Sequence, residues 1–308
     1  MATVKSRKEK IRYTIKEMRN HKTEYLLMAP YLLLFTFFTV LPVLASIVLG
    51  FTDFNLLQMP DFVGLDNYIT LFLNDDIFIT AAKNTLLFAV VTGPISYFGC
   101  LMLAWVVNEL PPLVRTFMTF LFYAPSISGN LYLIWSYIFS GDMYGWVNGF
   151  LMDWGIISQP IAWLADAKYM MTIVMIIQIW MSFGTGFLSF VAGLQGIDKS
   201  MYEAGAIDGV SNRFQELIYL TLPSMGPQLM FGAVMQISAS FSAGAVCMAL
   251  CGNPSTDYAA STIISHITDY GTVRYEMGYA SAMATLLFVV MIVMNNLISK
   301  LLKKYTAC

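Results

Sequence analysis

Residues 201–227 read MYEAGAIDGVSNRFQELIYLTLPSMGP and lie between two long apolar stretches of the chain. This segment combines charged side chains with an Asp-Gly pair at Asp208 and Gly209 and with Pro223. MYEAGA contains good helix formers, and the Asp-Gly pair favours a turn in which glycine accepts a left-handed backbone. RFQELIYL predicts a second helix, which Pro223 ends. We therefore predict a short helix held by a turn, which projects from a membrane surface and can bind another protein.

The rest of the chain has the composition of an integral membrane protein. Hydrophobic residues make up 57% of its 308 residues, charged residues 12%, and the mean hydropathy is +0.65, whereas soluble domains have about 25% charged residues. A helix that crosses the bilayer needs about 20 apolar residues, and a barrel strand would be shorter and alternating. Six stretches qualify as helical spans: 25–50, 84–107, 117–139, 169–192, 225–250 and 277–299. The sequence thus predicts an all-α integral membrane protein with six transmembrane helices.

The distribution of basic residues predicts the orientation. On this topology 14 of the 17 lysines and arginines fall on one side, which the positive-inside rule identifies as the cytoplasm. Both termini are then expected to be cytoplasmic, and segment 201–227 lies on the same side. The basic N-terminal segment 1–24 is expected to be a solvated amphipathic helix near anionic lipid, and we expect no nucleic-acid partner.

Several functions are disfavoured by what the sequence lacks. It has no GxxxxGK[ST], HExxH or GxSxG motif, so it cannot hydrolyse ATP alone by a Walker mechanism. The predicted spans are free of charged residues, which disfavours an ion-coupled secondary carrier but leaves it as the alternative, since backbone carbonyls can bind sodium. Cys247 and Cys251 share a helix face, where free buried side chains are favoured over a metal site.

Uncharged polar residues recur at helical spacing in three of the spans. The three seams are Gln178, Ser182, Thr185 and Ser189; Gly232, Gln236, Ser240 and Gly244; and Thr85, Thr92, Ser96 and Gly99. For glycine, serine and threonine we favour helix packing, because small residues allow close approach. Gln178 and Gln236 are different, because each amide needs either a polar partner or a watery cavity.

A neutral, polar and aromatic-edged cavity suits a neutral polyhydroxylated solute such as a sugar. We predict that six residues line a substrate path: Asn130, Trp135, Gln178, Trp180, Ser182 and Gln236. The competing interpretation for each aromatic residue by itself is a place in the interfacial belt or the core.

The segment EAGAIDGVSNRFQELIYLTLPSMGP resembles the EAA loop of permease subunits of binding-protein-dependent ABC importers, in the maltose-type carbohydrate branch. The third motif residue is usually alanine and is Gly205 here, which we expect to loosen the helix. The residues that match are Glu203, Ala204, Asp208, Gly209, Phe214, Leu222 and Pro223. Further landmarks of sugar permeases follow in the same order: FTDF, FVGLDNY, NT, APSISG, SGDMYGWVN, WLAD, AGLQGID and GYASAMA.

The resemblance implies the type I ABC importer permease fold, with a first transmembrane helix and outer loop over 25–82. A core of five transmembrane helices over 83–303 would include the coupling loop 196–227. It also implies a bacterial plasma membrane importer for a mono- or oligosaccharide, built with a second homologous permease, two ATP-binding subunits and an extracellular sugar-binding protein. ATP-Mg would be used by the ATP-binding subunits, while this chain binds no cofactor or metal and is not itself an enzyme. The expected contacts with the ATPase are Glu203, Ala204, Gly205, Asp208, Gly209 and Phe214.

Overall fold

The structure is a computed structural model that describes residues 17, 20–129 and 131–305, and the described chain is almost wholly helical. Asn130 and most of the basic segment 1–24 lie outside the described residues. Five helices are long and apolar enough to cross a membrane, and a bent pair forms a sixth span if both of its helices belong to one crossing. In chain order the spans are Lys22–Leu49, Asp76–Asn108, the pair Pro112–Ile127 and Tyr132–Ile138, Ala167–Gln195, Gly226–Cys251 and Met277–Leu302.

The third span differs most from its predicted form, a single helix over 117–139. Its two helices, Pro112–Ile127 and Tyr132–Ile138, meet at 92°. The first helix contains Pro125 and stops just before Ser128 and Gly129, residues that favour a turn over a continued helix. The second span also exceeds its prediction, since its helix begins at Asp76, and the predicted domain boundary at 82/83 falls inside it.

The second, fourth and fifth spans pack against one another around a core rich in phenylalanine. Phe187 and Phe190 of the fourth span are fully buried beside Leu229 of the fifth. A Cβ at Gly232 would overlap the Phe190 ring, so glycine is required for this approach. The seam residues Thr85, Thr92, Ser96 and Ser240 are all buried, in keeping with a packing role.

The first span is the least buried of the six. None of its residues from Lys22 to Leu49, a range that the structure describes throughout, is buried. Its C-terminal end approaches the sixth span, where a Cβ at Gly50 would lie 3.2 Å from the Ala282 backbone. The chain by itself therefore leaves a long apolar helix available to lipid or to another subunit.

Candidate coupling loop and substrate path

The predicted surface helix is present as Lys199–Ile207, which we call the coupling helix. Asp198 caps its N-terminus by accepting a 3.0 Å hydrogen bond from the Ser200 N–H, and the backbone and side chain of Ser200 lower the pKa of this carboxyl. At the other end Gly209 has φ +95°, and the Val210 N–H donates to the Gly205 carbonyl at 2.9 Å. The chain therefore makes the turn that the Asp-Gly pair predicts.

Gly205 decides how the coupling helix packs. It is buried, and a Cβ at this position would lie 2.5 Å from Leu220 Cδ1 in the following helical segment. The Tyr202 hydroxyl also lies 3.1 Å from Thr221 Oγ1. The missing Cβ therefore lets the coupling helix lie directly against the segment that enters the fifth span.

An exposed ion pair joins the segment after the turn to the end of the second span. Asn212 caps the helix Arg213–Glu216 by accepting from the Gln215 N–H at 2.8 Å. Arg213 pairs with Glu216 at 2.8 Å and with Glu109, just beyond the second span, at 3.4 Å. The coupling helix thus follows the fourth span and packs on the segment that enters the fifth, while the helix Arg213–Glu216 contacts the end of the second span.

The outward face of this loop carries the residues that the resemblance selects. Glu203, Ala204, Asp208 and Phe214 are exposed, whereas Gly205 faces inward. Ile207 is 87% exposed and is a residue that the sequence analysis missed, although its spacing of four from Glu203 could have indicated a shared face. An acidic and apolar surface of this kind is suited to a groove on a partner.

In the middle of the fourth span the helix is interrupted. Ala167–Met181 ends, Ser182 to Gly184 form a tight turn, and Thr185–Gln195 begins. A Cβ at Gly184 would lie 3.1 Å from the Ser126 Cβ, near the end of the first third-span helix. Interrupted backbone at membrane depth is tolerated where protein or a water-filled cavity satisfies its polar groups. The adjoining interruptions of the two spans therefore mark the candidate substrate path.

Trp135 and Trp180 are brought together, with ring centroids 5.1 Å apart in an edge-to-face arrangement. The contact continues through Phe139 and Trp163 to Tyr169, aromatic residues that sequence reasoning did not select. The cluster extends over 45 positions, from Trp135 to Trp180, so local periodicity does not predict the whole arrangement.

Gln178 is half-buried two residues before Trp180, while the Ser182 hydroxyl donates to the Ile179 carbonyl of its own helix at 2.6 Å. Gln236 is only 4% exposed, and its amide nitrogen donates to the Ser182 carbonyl at 3.1 Å. The sequence allowed either a polar partner or a watery cavity for Gln236, and the structure shows a polar partner, the Ser182 carbonyl.

The three cysteines that the structure describes are free thiols, with Cys100 and Cys247 buried and Cys251 half-buried. Within residues 17, 20–129 and 131–305, no group of three or more His, Cys, Asp or Glu side chains could hold a metal ion.

Comparison with known proteins identifies the family. The family described as binding-protein-dependent transport system inner membrane component matches residues 98–306. The chain belongs to this family. This permease is 31% identical over 270 residues to the probable ABC transporter permease protein YesP of Bacillus subtilis, covering 86% of this chain and 85% of YesP. It is 34% identical over 216 residues to the lactose transport system permease protein LacF of Rhizobium radiobacter, covering 68% and 70% of the two chains.

The fold of this permease is also that of a solved ABC importer subunit. A chain of the bacterial alginate ABC transporter, in complex with an alginate pentasaccharide-bound periplasmic protein, superposes with a TM-score of 0.76 at 23% identity. The superposition covers 94% of this chain and 96% of the other. The predicted importer permease fold is therefore confirmed.

Proposed function

We propose that this chain is one permease subunit of an ATP-driven importer, which moves a mono- or oligosaccharide delivered by an external binding protein. The curated relatives include permeases named for lactose, arabinooligosaccharides and diacetylchitobiose. The observation that carries the proposal is the coupling helix, because a helix packed on the segment that enters a span, with its other face exposed, is what a force-transmitting contact needs.

In this proposal the coupling helix binds a groove on an ATP-binding subunit. Glu203 and Asp208 offer acidic groups, and Ile207 and Phe214 offer apolar ones. A second, homologous permease would present a matching helix to a second ATP-binding subunit. ATP-Mg binds and reacts on those subunits, while this chain converts their closure into movement of its spans.

The interruptions of the third and fourth spans are the proposed place of substrate contact. Sugar rings offer hydroxyls for an amide such as that of Gln178 and an apolar face for a ring such as that of Trp180. Trp180 is 37% exposed, so part of its surface is free to meet a solute. Trp135, packed edge-on to it, fixes its orientation.

We also propose that both termini and the coupling helix face the cytoplasm of a bacterial cell. Support comes from the bias of basic residues toward this side. The outer loops, which include the helix Trp146–Asp153, would then receive the binding protein.

Reconstitution tests this proposal. The chain is purified with its co-expressed partner subunits, placed in proteoliposomes and supplied with the binding protein and radiolabelled candidate sugars. ATP-dependent uptake that requires this chain is the expected result. Uptake by the isolated chain, driven by a sodium or proton gradient without ATP, would instead establish the ion-coupled carrier.

A further inference from the structure

The interruption of the fourth span is held by side chains from two other spans. The Ser182 carbonyl accepts hydrogen bonds from the Gly184 N–H at 2.8 Å and from Gln236 Nε2 at 3.1 Å. The Cys100 thiol lies 3.7 Å from the same oxygen, and Gln236 Nε2 lies 3.3 Å from Cys100 Sγ. Ser182, Gln236 and Cys100, which we call the latch, thus join the fourth, fifth and second spans at one point.

Two of the three latch residues, Cys100 and Gln236, are buried, and Ser182 is half-buried. Gln236 reaches the carbonyl through space left by Gly186, where a Cβ would lie 3.3 Å from Nε2. A carbonyl that loses a hydrogen-bond partner at a largely buried site is costly. The hydrogen bond therefore favours one geometry of the interruption.

The two halves of the fourth span have different attachments. The cytoplasmic half, Thr185–Gln195, packs on the fifth span and leads into the coupling helix after three residues. The outer half, Ala167–Met181, carries Gln178 and Trp180. A movement of the coupling helix that is transmitted along the fourth span therefore passes through the latch before it reaches Gln178 and Trp180.

We propose that Gln236 is a positioning residue: through the Ser182 carbonyl it fixes the interruption of the fourth span and thereby sets where Gln178 and Trp180 meet the substrate. The inference rests on the proposed function for its transport consequence. The physical state of the latch can be measured without any sugar, through the reactivity of Cys100.

The test uses the assembled importer with Cys247→Ala, Cys251→Ala and Cys308→Ser in this chain, so that Cys100 is its single thiol. Gln236→Met keeps the length of the side chain and removes the donor. Ser240→Ala is the matched control, because its buried hydroxyl donates to the Gln236 carbonyl one turn earlier in the same helix. Alkylation of Cys100 by N-ethylmaleimide is followed by the mass shift of the subunit, and KM and maximal uptake rate are measured for a transported sugar.

We expect Gln236→Met to raise the alkylation rate of Cys100 by about fivefold or more, because losing a partner of a buried carbonyl favours an opened interruption by that factor. KM should rise by a similar factor, and the maximal uptake rate should change less. Ser240→Ala should leave the alkylation rate and KM near the parent values. Equal alkylation rates in the two variants, or faster alkylation with an unchanged KM, would overturn the proposal.

A second variant protects the test against loss of assembly. Cys100→Ala retains the hydrogen bond from Gln236 to the Ser182 carbonyl and removes only the two contacts of the thiol, so we expect a smaller rise in KM than with Gln236→Met. A larger rise would contradict the primary role of Gln236. If the parent importer transports no sugar, the proposed function fails. The alkylation rates of Cys100 in Gln236→Met and Ser240→Ala would still show whether Gln236 fixes the interruption of the fourth span.

Discussion

Gly205 and Leu220 are in such close contact that a Cβ at position 205 would lie 2.5 Å from Leu220 Cδ1. A side chain at position 205 would therefore push the coupling helix away from the segment that enters the fifth span, or force Leu220 into another rotamer. The orientation of the exposed face that carries Glu203 and Ile207 depends on this contact.

Gly205→Ala is expected to weaken coupling even though alanine is a good helix former. Overpacking of this kind costs about 1–3 kcal/mol, part of which Leu220 can relieve by rotating. We expect ATP hydrolysis by the assembled complex to respond less to the loaded binding protein. Adding Leu220→Ala should restore much of the response, and the double variant is measured beside both single variants. A double variant no better than Gly205→Ala would show that this contact is not responsible.

Gly209 is required for its backbone conformation and not for space. Its φ is +95°, and no atom lies within 4 Å of an added Cβ. Gly209→Val should impose strain of about 1–2 kcal/mol, displace the coupling helix and abolish sugar uptake at normal membrane levels. Gly155, two residues after the helix Trp146–Asp153, has φ +68° and is equally open, so Gly155→Val is the matched control for backbone strain. It should keep the ATP-binding subunits in the purified complex, whereas Gly209→Val should lose them. Equal loss of these subunits in both variants would point to general destabilisation.

The spans could be predicted from sequence because length and hydropathy decide them locally, and the Asp-Gly turn followed from two adjacent residues. The 92° bend of the third span could not, since a proline and a glycine indicate an interruption but not its direction. The hydrogen-bond partner of Gln236 also could not be predicted from the sequence. Ser182 is 54 positions away, and the contact depends on how the fourth and fifth spans pack.

The orientation is tested by labelling single cysteines in intact cells. Asp153→Cys lies at the exposed end of the helix Trp146–Asp153, and Asp208→Cys lies at the end of the coupling helix. A membrane-impermeant maleimide should label position 153 from outside and position 208 only after the cells are opened. The reverse pattern would invert the topology and remove the coupling helix from the cytoplasm.

Gln178 and Trp180 are expected to contact the sugar directly. Gln178→Leu removes an amide that can bond sugar hydroxyls, and we expect KM for uptake to rise by about tenfold, equivalent to 1.4 kcal/mol. Trp180→Ala should weaken uptake further. Trp135→Ala should also weaken uptake, because it removes the ring that packs against Trp180. The loss of uptake in the Trp135→Ala/Trp180→Ala double variant should be smaller than the sum of the two single losses. Normal KM values in Gln178→Leu and Trp180→Ala at normal expression would remove both residues from the path.

Asp75 joins three parts of one face of the protein and should make the stability of that face depend on pH. Its Oδ2 lies 2.9 Å from His266 Nε2 and accepts from the Tyr279 hydroxyl at 2.8 Å, while Oδ1 accepts from the Phe78 N–H at 2.8 Å. Burial alone would raise the pKa of Asp75, but these hydrogen bonds outweigh it and hold the pKa below its ordinary value.

A carboxyl whose pKa is lowered by folding stabilises the protein above its ordinary pKa of about 4, and this stability is lost as the pH falls through the lowered value. We expect Asp75→Asn to lower the thermal midpoint of the purified complex at pH 7, with a loss of about 1–3 kcal/mol from the broken network. The difference from the parent should shrink as the pH falls below about 4. Asp76→Asn, at the exposed neighbouring position, is the control and should change the midpoint little. A difference between Asp75→Asn and the parent that stays constant from pH 7 to pH 3 would show that the charge of Asp75 does not stabilise this face.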